Sequence, residues 1–403
     1  MSRSWFVLPA IAAVLVVACS SGAAAVSNPT ASTAASLVAT ASPSTAATAS
    51  PSTTATASPS TTTTAAPSTT TTAAPSTTTT AAPSAAMPSA PGASLTAAAS
   101  ALPITAGEPW LLFGRRTADG SGQDVRLVRP DGTGEHQILA DVPGDLRAAA
   151  WSPDGKRIAF VVRDDSTDGT IWAANGDETG AAKFYDGRGD GCASVFYPSW
   201  SPDGSKMALV CYPADDKHAH LAVLDTASMR LTTLADLTWP EFLDDPISWS
   251  PDGRTLAFSV LHWDPTNQFL DGSLVATVPA DGSAKATRLT AMTEFATYPD
   301  WGADGRLVYN TYDVGNMHDP SLVSNLFTMA ADGSGVRQLT NAKPGSALRI
   351  AEPRWDPSGA RIWVSVREGG ARPHLGWVDP ATGKVTSIDA AGYGAHPEPR
   401  PHP

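Results

Sequence analysis

Three histidines in the second half of the chain lie beside carboxylates and aromatic residues, in segments that the hydrophobic pattern leaves as loops. Imidazole and carboxylate groups serve as acid–base catalysts and as metal ligands. The candidate residues are His218, Trp239, His262, Trp263, Asp264, His318 and Asp319. Because the loops differ in length, spacing alone does not show that the three imidazoles converge. We therefore interpret the set as a polar and aromatic binding rim, and we predict no metal, no cofactor and no catalytic residue.

The elements that must position this rim repeat along the chain. Trp-Ser-Pro-Asp-Gly begins at Trp151, Trp200 and Trp249, and degenerate copies begin at Trp301 and Trp355. An apolar segment of strand length follows each copy, and strands that run into Asp-Gly turns alternate with the copies. Asp-Gly suits tight hairpins because both residues tolerate positive φ, and Pro presets φ in the preceding turn. Each unit therefore predicts four antiparallel strands, which we name a to d.

Six such units in series predict a β-propeller. A single four-stranded sheet leaves its edges and an apolar face uncovered, and radial packing of successive sheets about an axis covers both. We predict an all-β fold, a six-bladed propeller of four-stranded antiparallel blades, over residues 101–403. We expect the repeated tryptophans to fill the spaces between blades. We expect the binding rim on the longer connections between strands b and c, at 212–219, 261–272 and 312–324, and between strands d and a, at 235–246.

The repeats resemble a known family. The Trp-Ser-Pro-Asp-Gly strand, the apolar strand after it and the Asp-Gly turn before a Leu-Thr strand are similar to the TolB-like β-propeller repeat, over roughly residues 108–390. This resemblance implies work in the bacterial envelope. Periplasmic TolB has an α/β domain ahead of its propeller, where this chain has a low-complexity segment. Similar propellers cap prolyl-oligopeptidase-type hydrolases, but this sequence contains no Gly-x-Ser-x-Gly nucleophile elbow.

Closure of the ring needs a strand that the repeats do not supply. Blade one begins at Trp110 with a segment that matches strand b, so its inner strand is missing. We predict that residues 393–398 supply this strand, and the rival segment is 102–106. The Glu-Pro-Arg sequence at 398–400 repeats the one before Trp355, which predicts that Pro401 takes the tryptophan position.

The first hundred residues predict a lipoprotein signal and a tether. Arg3 precedes an apolar run that ends in Val-Val-Ala-Cys-Ser, which resembles the lipobox of bacterial lipoproteins. We predict a signal peptide over 1–19 with lipidation at Cys19, and the alternative is an ordinary secretory signal cut near residues 23–25. Residues 20–100 are almost entirely Ala, Ser, Thr and Pro. They lack the apolar side chains that would offset the entropy of ordering, so they predict a disordered tether.

Cysteine use and net charge restrict the chemistry further. If Cys19 is lipidated, Cys192 and Cys211 remain, and both lie in the hairpin around the second Trp-Ser-Pro-Asp-Gly turn. A disulfide between them is within reach, and two unpaired thiols are the alternative. The chain carries 27 basic against 39 acidic side chains. This balance excludes a non-specific nucleic-acid binder, which needs a basic surface.

Two functions remain open at this point. The first is a monomeric, non-enzymatic module that binds an envelope protein or glycan, held to the membrane by its N-terminal lipid on the periplasmic or outer side of a bacterial cell. The second is an envelope lyase or hydrolase whose active site lies in the axial funnel. Only Asp300 and Arg354 are charged among the residue pairs that precede the repeated tryptophans. They fall on adjacent blades, so we expect them to pair with each other.

Overall fold

The computed structural model describes residues 108–117, 120, 122–164, 167–215, 217–264, 269–313, 322–388 and 394–401. The predicted signal peptide, Cys19 and the tether lie outside these ranges, as do His318, Asp319 and the rival closing segment 102–106. Apart from 3-10 helices at Arg188–Asp190 and Met292–Glu294, the regular elements within these ranges are β-strands. None of the described elements is a helix with the length and hydrophobicity that a membrane span requires.

The described strands form five sheets, of which the largest has eight strands, and for reference we divide them into six successive sets that we number as blades one to six. The first three sets contain β1 (Leu111–Arg116), β2 (Gln123–Val128) and β3 (His136–Ile138); β4 (Asp145–Trp151), β5 (Arg157–Asp164), β6 (Thr167–Asn175) and β7 (Ala182–Tyr185); and β8 (Cys192–Trp200), β9 (Lys206–Pro213), β10 (His218–Asp225) and β11 (Leu231–Thr238). The fourth contains β12 (Glu241–Phe242), β13 (Ser248–Trp249), β14 (Thr255–Asp264), β15 (Phe269–Pro279) and β16 (Thr287–Arg288). The last two contain β17 (Ala296–Trp301), β18 (Leu307–Tyr312), β19 (Ser324–Met329) and β20 (Arg337–Gln338); and β21 (Leu348–Trp355), β22 (Ile362–Glu368), β23 (His374–Val378) and β24 (Val385–Ser387). The final strand of the chain is β25 (Ala395–Pro399).

Neighbouring strands within each blade are antiparallel, which confirms the predicted all-β propeller. Blades five and six also share one sheet, because Ser324 of β19 pairs in parallel with Arg349 of β21. Each repeated tryptophan ends an inner strand and lies opposite the first or second residue of strand b, as Trp151 lies opposite Ile158.

The ring closes with the last strand of the chain, as predicted. β25 pairs antiparallel with β1, with Pro399 opposite Leu111 and Glu398 opposite Leu112. Leu111 matches the residue that faces the tryptophan in the other blades, so Pro399 takes the tryptophan position. The prediction of Pro401 at that position is therefore wrong by two residues, because β25 enters the blade earlier than the sequence repeat suggests.

The Trp-Ser-Pro-Asp-Gly motif recurs because it closes the turn between strands a and b. In blade three the Ser201 hydroxyl donates to Asp203 Oδ1 at 2.7 Å and accepts from the Lys206 N–H at 2.9 Å. Gly204 follows with φ of 71°, a left-handed conformation in which a side chain would be strained. The tryptophan that begins the motif packs with apolar residues of its own blade and of the preceding blade.

A repeated bulge shapes the inner strands. Three residues before the tryptophan position, the inner strands of five blades each contain a residue with φ between 47° and 57°: Ala148, Tyr197, Tyr298, Glu352 and His396. A bulge opposes two residues to one on the partner strand and changes the direction of the side chain. Blade four differs, since its inner strand is divided into β12 and β13 and carries Asp244 and Asp245 in the interval.

Candidate functional site

A cavity of about 730 Å³ runs between the inner strands. The tryptophans that end these strands line one part of it, together with prolines of the following turns. Trp151, Trp200, Trp249 and Trp355 are buried, and Trp301 is partly exposed. The repeated tryptophans thus serve both the packing between blades and the wall of the cavity, and sequence reasoning anticipated only the packing.

Three aromatic side chains, which we call the aromatic patch, line the cavity where the inner strand of blade four begins. Trp239 stacks on Phe242 with ring centroids 6.0 Å apart, and Phe242 meets the edge of Trp263 at 6.3 Å. Trp239 precedes a cis peptide bond to Pro240 in the turn between β11 and β12. All three rings are half-buried, so the patch presents apolar faces to the cavity.

The strands that hold this patch are longer than the sequence predicted. The connection predicted at 261–272 is mostly strand, because β14 and β15 pair as far as Asp264 opposite Phe269. The connection predicted at 212–219 is reduced in the same way, since β9 ends at Pro213 and β10 begins at His218. The polar residue His262 lies within β14 and pairs across the hairpin with Gly272, so polarity alone did not mark a loop.

The predicted rim residues separate into different environments. His218, Trp239 and Trp263 line the cavity. His262 lies on β14, where its Nδ1 is 2.5 Å from Asp271 Oδ1, and it is not among the cavity residues. Asp264 ends β14, and the structure does not describe His318 or Asp319. Of the two predicted histidines that the structure describes, it therefore brings His218 to the cavity and leaves His262 outside it.

Blade four contributes two adjacent carboxylates, the half-buried Asp244 and the buried Asp245, where its inner strand is interrupted. The Tyr197 hydroxyl donates to Asp244 Oδ1 at 2.7 Å, and the Tyr212 hydroxyl donates to the Leu243 carbonyl. Asp245 is buried beside them, and burial raises its pKa to about 7 although hydrogen bonds with Ser259 and Tyr298 oppose the shift. Its Oδ2 has no hydrogen-bond partner within the described part of the chain. Such an environment favours the protonated carboxyl.

A charged cluster lies one residue before the tryptophan position on three adjacent blades. Arg354 donates from Nη1 to Asp300 Oδ1 at 3.1 Å, which confirms the predicted pair. Its Nε is also 3.1 Å from Glu398 Oε2 on the closing strand. Asp300 accepts from the Ser248 hydroxyl at 2.8 Å and from the Trp355 N–H at 2.7 Å. Sequence reasoning missed Glu398 because its register became known only with β25.

Burial and charge act in opposite directions within this cluster. Burial raises the pKa of the Glu398 carboxyl above its usual range, and the Arg354 guanidinium opposes the shift. The carboxylates of Asp300 and Glu398 raise the pKa of Arg354 despite its burial. All three side chains line the cavity, so they give its wall fixed hydrogen-bonding groups.

One group of described residues has the geometry to hold a metal ion. It consists of His218, His220 and Asp236, whose candidate ligand atoms lie within 4.8 Å of one another. His220 Nε2 is 3.3 Å from Asp236 Oδ1, and His218 Nδ1 is 3.9 Å from the same oxygen. Sequence reasoning considered His218 with histidines of other blades, and it missed His220 and Asp236 in the same hairpin.

A disulfide joins Cys192 at the start of β8 to Cys211 in β9, as the hairpin geometry led us to expect. Both residues are buried, and their Cα atoms are 5.3 Å apart. The bridge ties the inner strand of blade three to its neighbour close to the cavity residue Ser194.

Comparison with known proteins supports the fold assignment. No family model matches the chain, and no curated protein matches its sequence. TolB from Acinetobacter baumannii is similar in structure, with a TM-score of 0.55 and 16% identity over 73% of this chain and 67% of that one. A protein assigned as TolB from Agrobacterium tumefaciens has a TM-score of 0.50 and 18% identity, over 72% of this chain and 91% of that one. Hydrazine synthase from Kuenenia stuttgartiensis has a TM-score of 0.53 and 13% identity, over 73% of this chain and 46% of that one.

These findings define the class of the protein. The antiparallel blades and the two TolB structures establish a TolB-like β-propeller fold. The same architecture occurs in hydrazine synthase, so the fold alone does not determine a function. The function has to be argued from the cavity and its residues.

Proposed function

We propose that this chain is an extracytoplasmic binding module whose axial cavity receives a short glycan. The observation that carries the proposal is that one cavity is lined both by the aromatic patch of Trp239, Phe242 and Trp263 and by fixed polar groups. Concave sites with aromatic walls and a few well-placed polar groups are typical of small-ligand binding.

The size and chemistry of the cavity favour a glycan over a folded protein. Its volume of about 730 Å³ falls in the usual range of small-ligand sites, about 300 to 1,000 Å³. Sugar rings present apolar faces and hydroxyl edges together, which match flat indole faces and neighbouring charged or hydroxyl groups. Asp300, Arg354 and Glu398 are held by one another and by backbone groups, so they are preorganised for such contacts.

Binding can be tested on a panel of neutral, amino-sugar and uronic-acid oligosaccharides, followed by calorimetry on the best member. We expect Trp263→Ala to weaken that interaction at least tenfold, which corresponds to about 1.4 kcal/mol. Trp377→Ala is the matched control, because this partly buried tryptophan of β23 lies outside the cavity. An equal loss of affinity in Trp263→Ala and Trp377→Ala contradicts the assignment of the cavity as the binding site. Capture of an envelope protein with no glycan binding supports the protein-binding alternative instead.

Attachment to the membrane is a second part of the proposal. It rests on the apolar run that ends at Cys19 and on the low-complexity tether after it. An acyl anchor buries many methylene groups at about 0.8 kcal/mol each, so two or more chains hold a protein stably. We expect Cys19→Ala to move the protein from the detergent phase to the aqueous phase, while Ser20→Ala leaves it in the detergent phase. Retention of the Cys19 variant in the detergent phase would overturn this part.

An enzymatic role has one specific observation in its favour. Glu398 lines the cavity with a pKa raised by burial, and perturbed carboxyl groups are common at catalytic sites. A lyase or hydrolase of this kind would cleave the glycan that it binds. Product analysis by mass spectrometry shows whether the wild-type chain cleaves the glycan. If it is an enzyme of this kind, we expect Glu398→Gln to lose cleavage and to retain binding.

A further inference from the structure

We propose that His218, His220 and Asp236 form a site for a divalent transition-metal ion on blade three, at the edge of the cavity. The proposal rests on the geometry of the β10–β11 hairpin and does not depend on glycan binding. It differs from the expectation of no metal that followed from the spacing of His218, His262 and His318.

The hairpin places the three side chains together through simple strand geometry. His218 and His220 are two residues apart on β10, so they lie on the same face of the sheet. Asp236 lies directly opposite His220 in the register of β10 with β11. The three groups therefore sit on paired strands of a propeller blade, which fixes their backbone positions.

The distances suit a metal ion without movement of the backbone. A tetrahedral zinc site has metal–nitrogen distances of about 2.0 to 2.1 Å, which puts neighbouring ligand atoms about 3.3 Å apart. The separation of His220 Nε2 from Asp236 Oδ1 is 3.3 Å, and that of His218 Nδ1 from the same oxygen is 3.9 Å. The candidate ligand atoms all lie within 4.8 Å of one another, so a common metal position requires the imidazoles to turn toward Asp236.

A further carboxylate strengthens the site. Asp215 Oδ2 is 3.7 Å from His218 Nδ1, while its Oδ1 accepts from the Lys217 N–H at 3.0 Å. This hydrogen bond holds the carboxylate beside the imidazole nitrogen that would bind the metal, where it can become a fourth ligand.

The donor set indicates the class of metal. Two imidazoles and a carboxylate suit zinc, cobalt, nickel or copper, whereas calcium and magnesium take oxygen ligands. The His218 and His220 side chains are 36% and 24% exposed, so an ion has access from solvent. When Asp215 does not coordinate, three protein ligands leave a coordination position for water or for another molecule. Because His218 also lines the cavity, that position lies at the edge of the binding site.

The molecule supplies a matched control for this site. His262 and Asp271 also form an exposed imidazole–carboxylate pair, on the hairpin of blade four. No third ligand completes that pair in the part of the chain that the structure describes. An ordinary ion pair and the proposed metal site can therefore be compared within one protein.

The test uses the full chain, purified without a polyhistidine tag and treated with a chelator. Titration with Co²⁺ is expected to give one equivalent bound, with the visible absorption of a low-coordinate ion, and Zn²⁺ is expected to displace it. We expect His220→Ala and Asp236→Asn each to lower the Zn²⁺ affinity at least tenfold, and His262→Ala to leave it unchanged. Melting temperatures without metal show whether each variant is folded.

Two results would overturn the proposal. One is the absence of Co²⁺ and Zn²⁺ binding by the folded wild-type chain at micromolar metal. The other is full Zn²⁺ affinity in the folded His220→Ala and Asp236→Asn variants. A loss of affinity in His262→Ala as large as in those two variants would count in the same way.

Discussion

Replacement of Asp245 by Asn is expected to stabilise the protein at alkaline pH. The Asp245 side chain is buried where the inner strand of blade four is interrupted, and its Oδ2 has no partner among the described residues. Burial raises its pKa from 3.8 to about 7. Folding above that pH therefore requires either a buried charge or a conformational adjustment, and the neutral amide of Asn requires neither.

The magnitude follows from the pKa difference between the folded and unfolded states. Below pH 3.8 the carboxyl is protonated in both states, and it contributes no pH dependence. Between 3.8 and about 7 the unfolded chain is ionised while the folded one keeps its proton, so stability falls by about 1.4 kcal/mol per pH unit. Above pH 7 the accumulated loss is constant at about 4 kcal/mol. The advantage of Asp245→Asn over the wild type should therefore grow by about 3 kcal/mol from pH 5 to pH 8.

Urea denaturation of both proteins across this pH range measures the difference between their free energies of unfolding. The contributions of the other titrating groups cancel, because both proteins contain them. Asp252→Asn is the control with the opposite sign. Asp252 accepts from the Ser250 hydroxyl at 2.6 Å and from the Arg254 N–H at 3.1 Å, and these bonds lower its pKa. Asp252→Asn should lower the free energy of unfolding at pH 8, and it should lower it by a smaller amount at low pH. A constant advantage of Asp245→Asn at pH 5 and pH 8 would refute the reasoning.

Three other changes, one deletion and two replacements, test the ring and its cavity wall. Deletion of residues 394–403 removes the inner strand of blade one, and we expect a loss of several kcal/mol out of the ~5 to 15 kcal/mol that stabilise a domain; an unchanged melting temperature would mean that β25 does not close the ring. Joint replacement of Cys192 and Cys211 by Ala should cost about 3 kcal/mol for a loop of 19 residues, measured by calorimetry, and an equal melting temperature argues against the bridge. Asp300→Ala leaves Arg354 with one carboxylate, and a loss of about 3 kcal/mol in urea is expected; a change below 0.5 kcal/mol would contradict the role of the cluster.

Local turn chemistry made most of the fold predictable. The Trp-Ser-Pro-Asp-Gly turn uses hydrogen bonds among neighbouring residues, so the same five letters give the same hairpin wherever they occur. The predicted strand ends were less accurate at the connections between strands b and c, because hairpin pairing extends through polar residues that resemble a loop. His262 on β14 is the example, since its place in the strand depends on its partner Gly272 and not on its own side chain.

The cavity was harder to predict because it is built from residues far apart in sequence. Asp300 and Arg354 could be paired since they occupy the same position of adjacent repeats. Glu398 completes their cluster only through the register of β25, which the sequence repeat misplaced by two residues. Asp245 lies in the predicted connection 235–246, and its altered pKa follows from burial at the break in the inner strand, which no repeat motif marks.

The pairing of β1 with β25 has a mechanical consequence. A chain anchored at its N-terminus, as we propose, would transmit tension into the propeller through the residues that lead into β1. That strand is held on one side by β2 and on the other by β25, so its release requires two hydrogen-bonded ladders to fail together. Arg400 adds a brace by donating to the Gly155 carbonyl of the next blade at 2.7 Å. The strand that would carry this tension is thus an interior strand of its sheet, and the tension would enter the propeller at the strand pair that closes the ring.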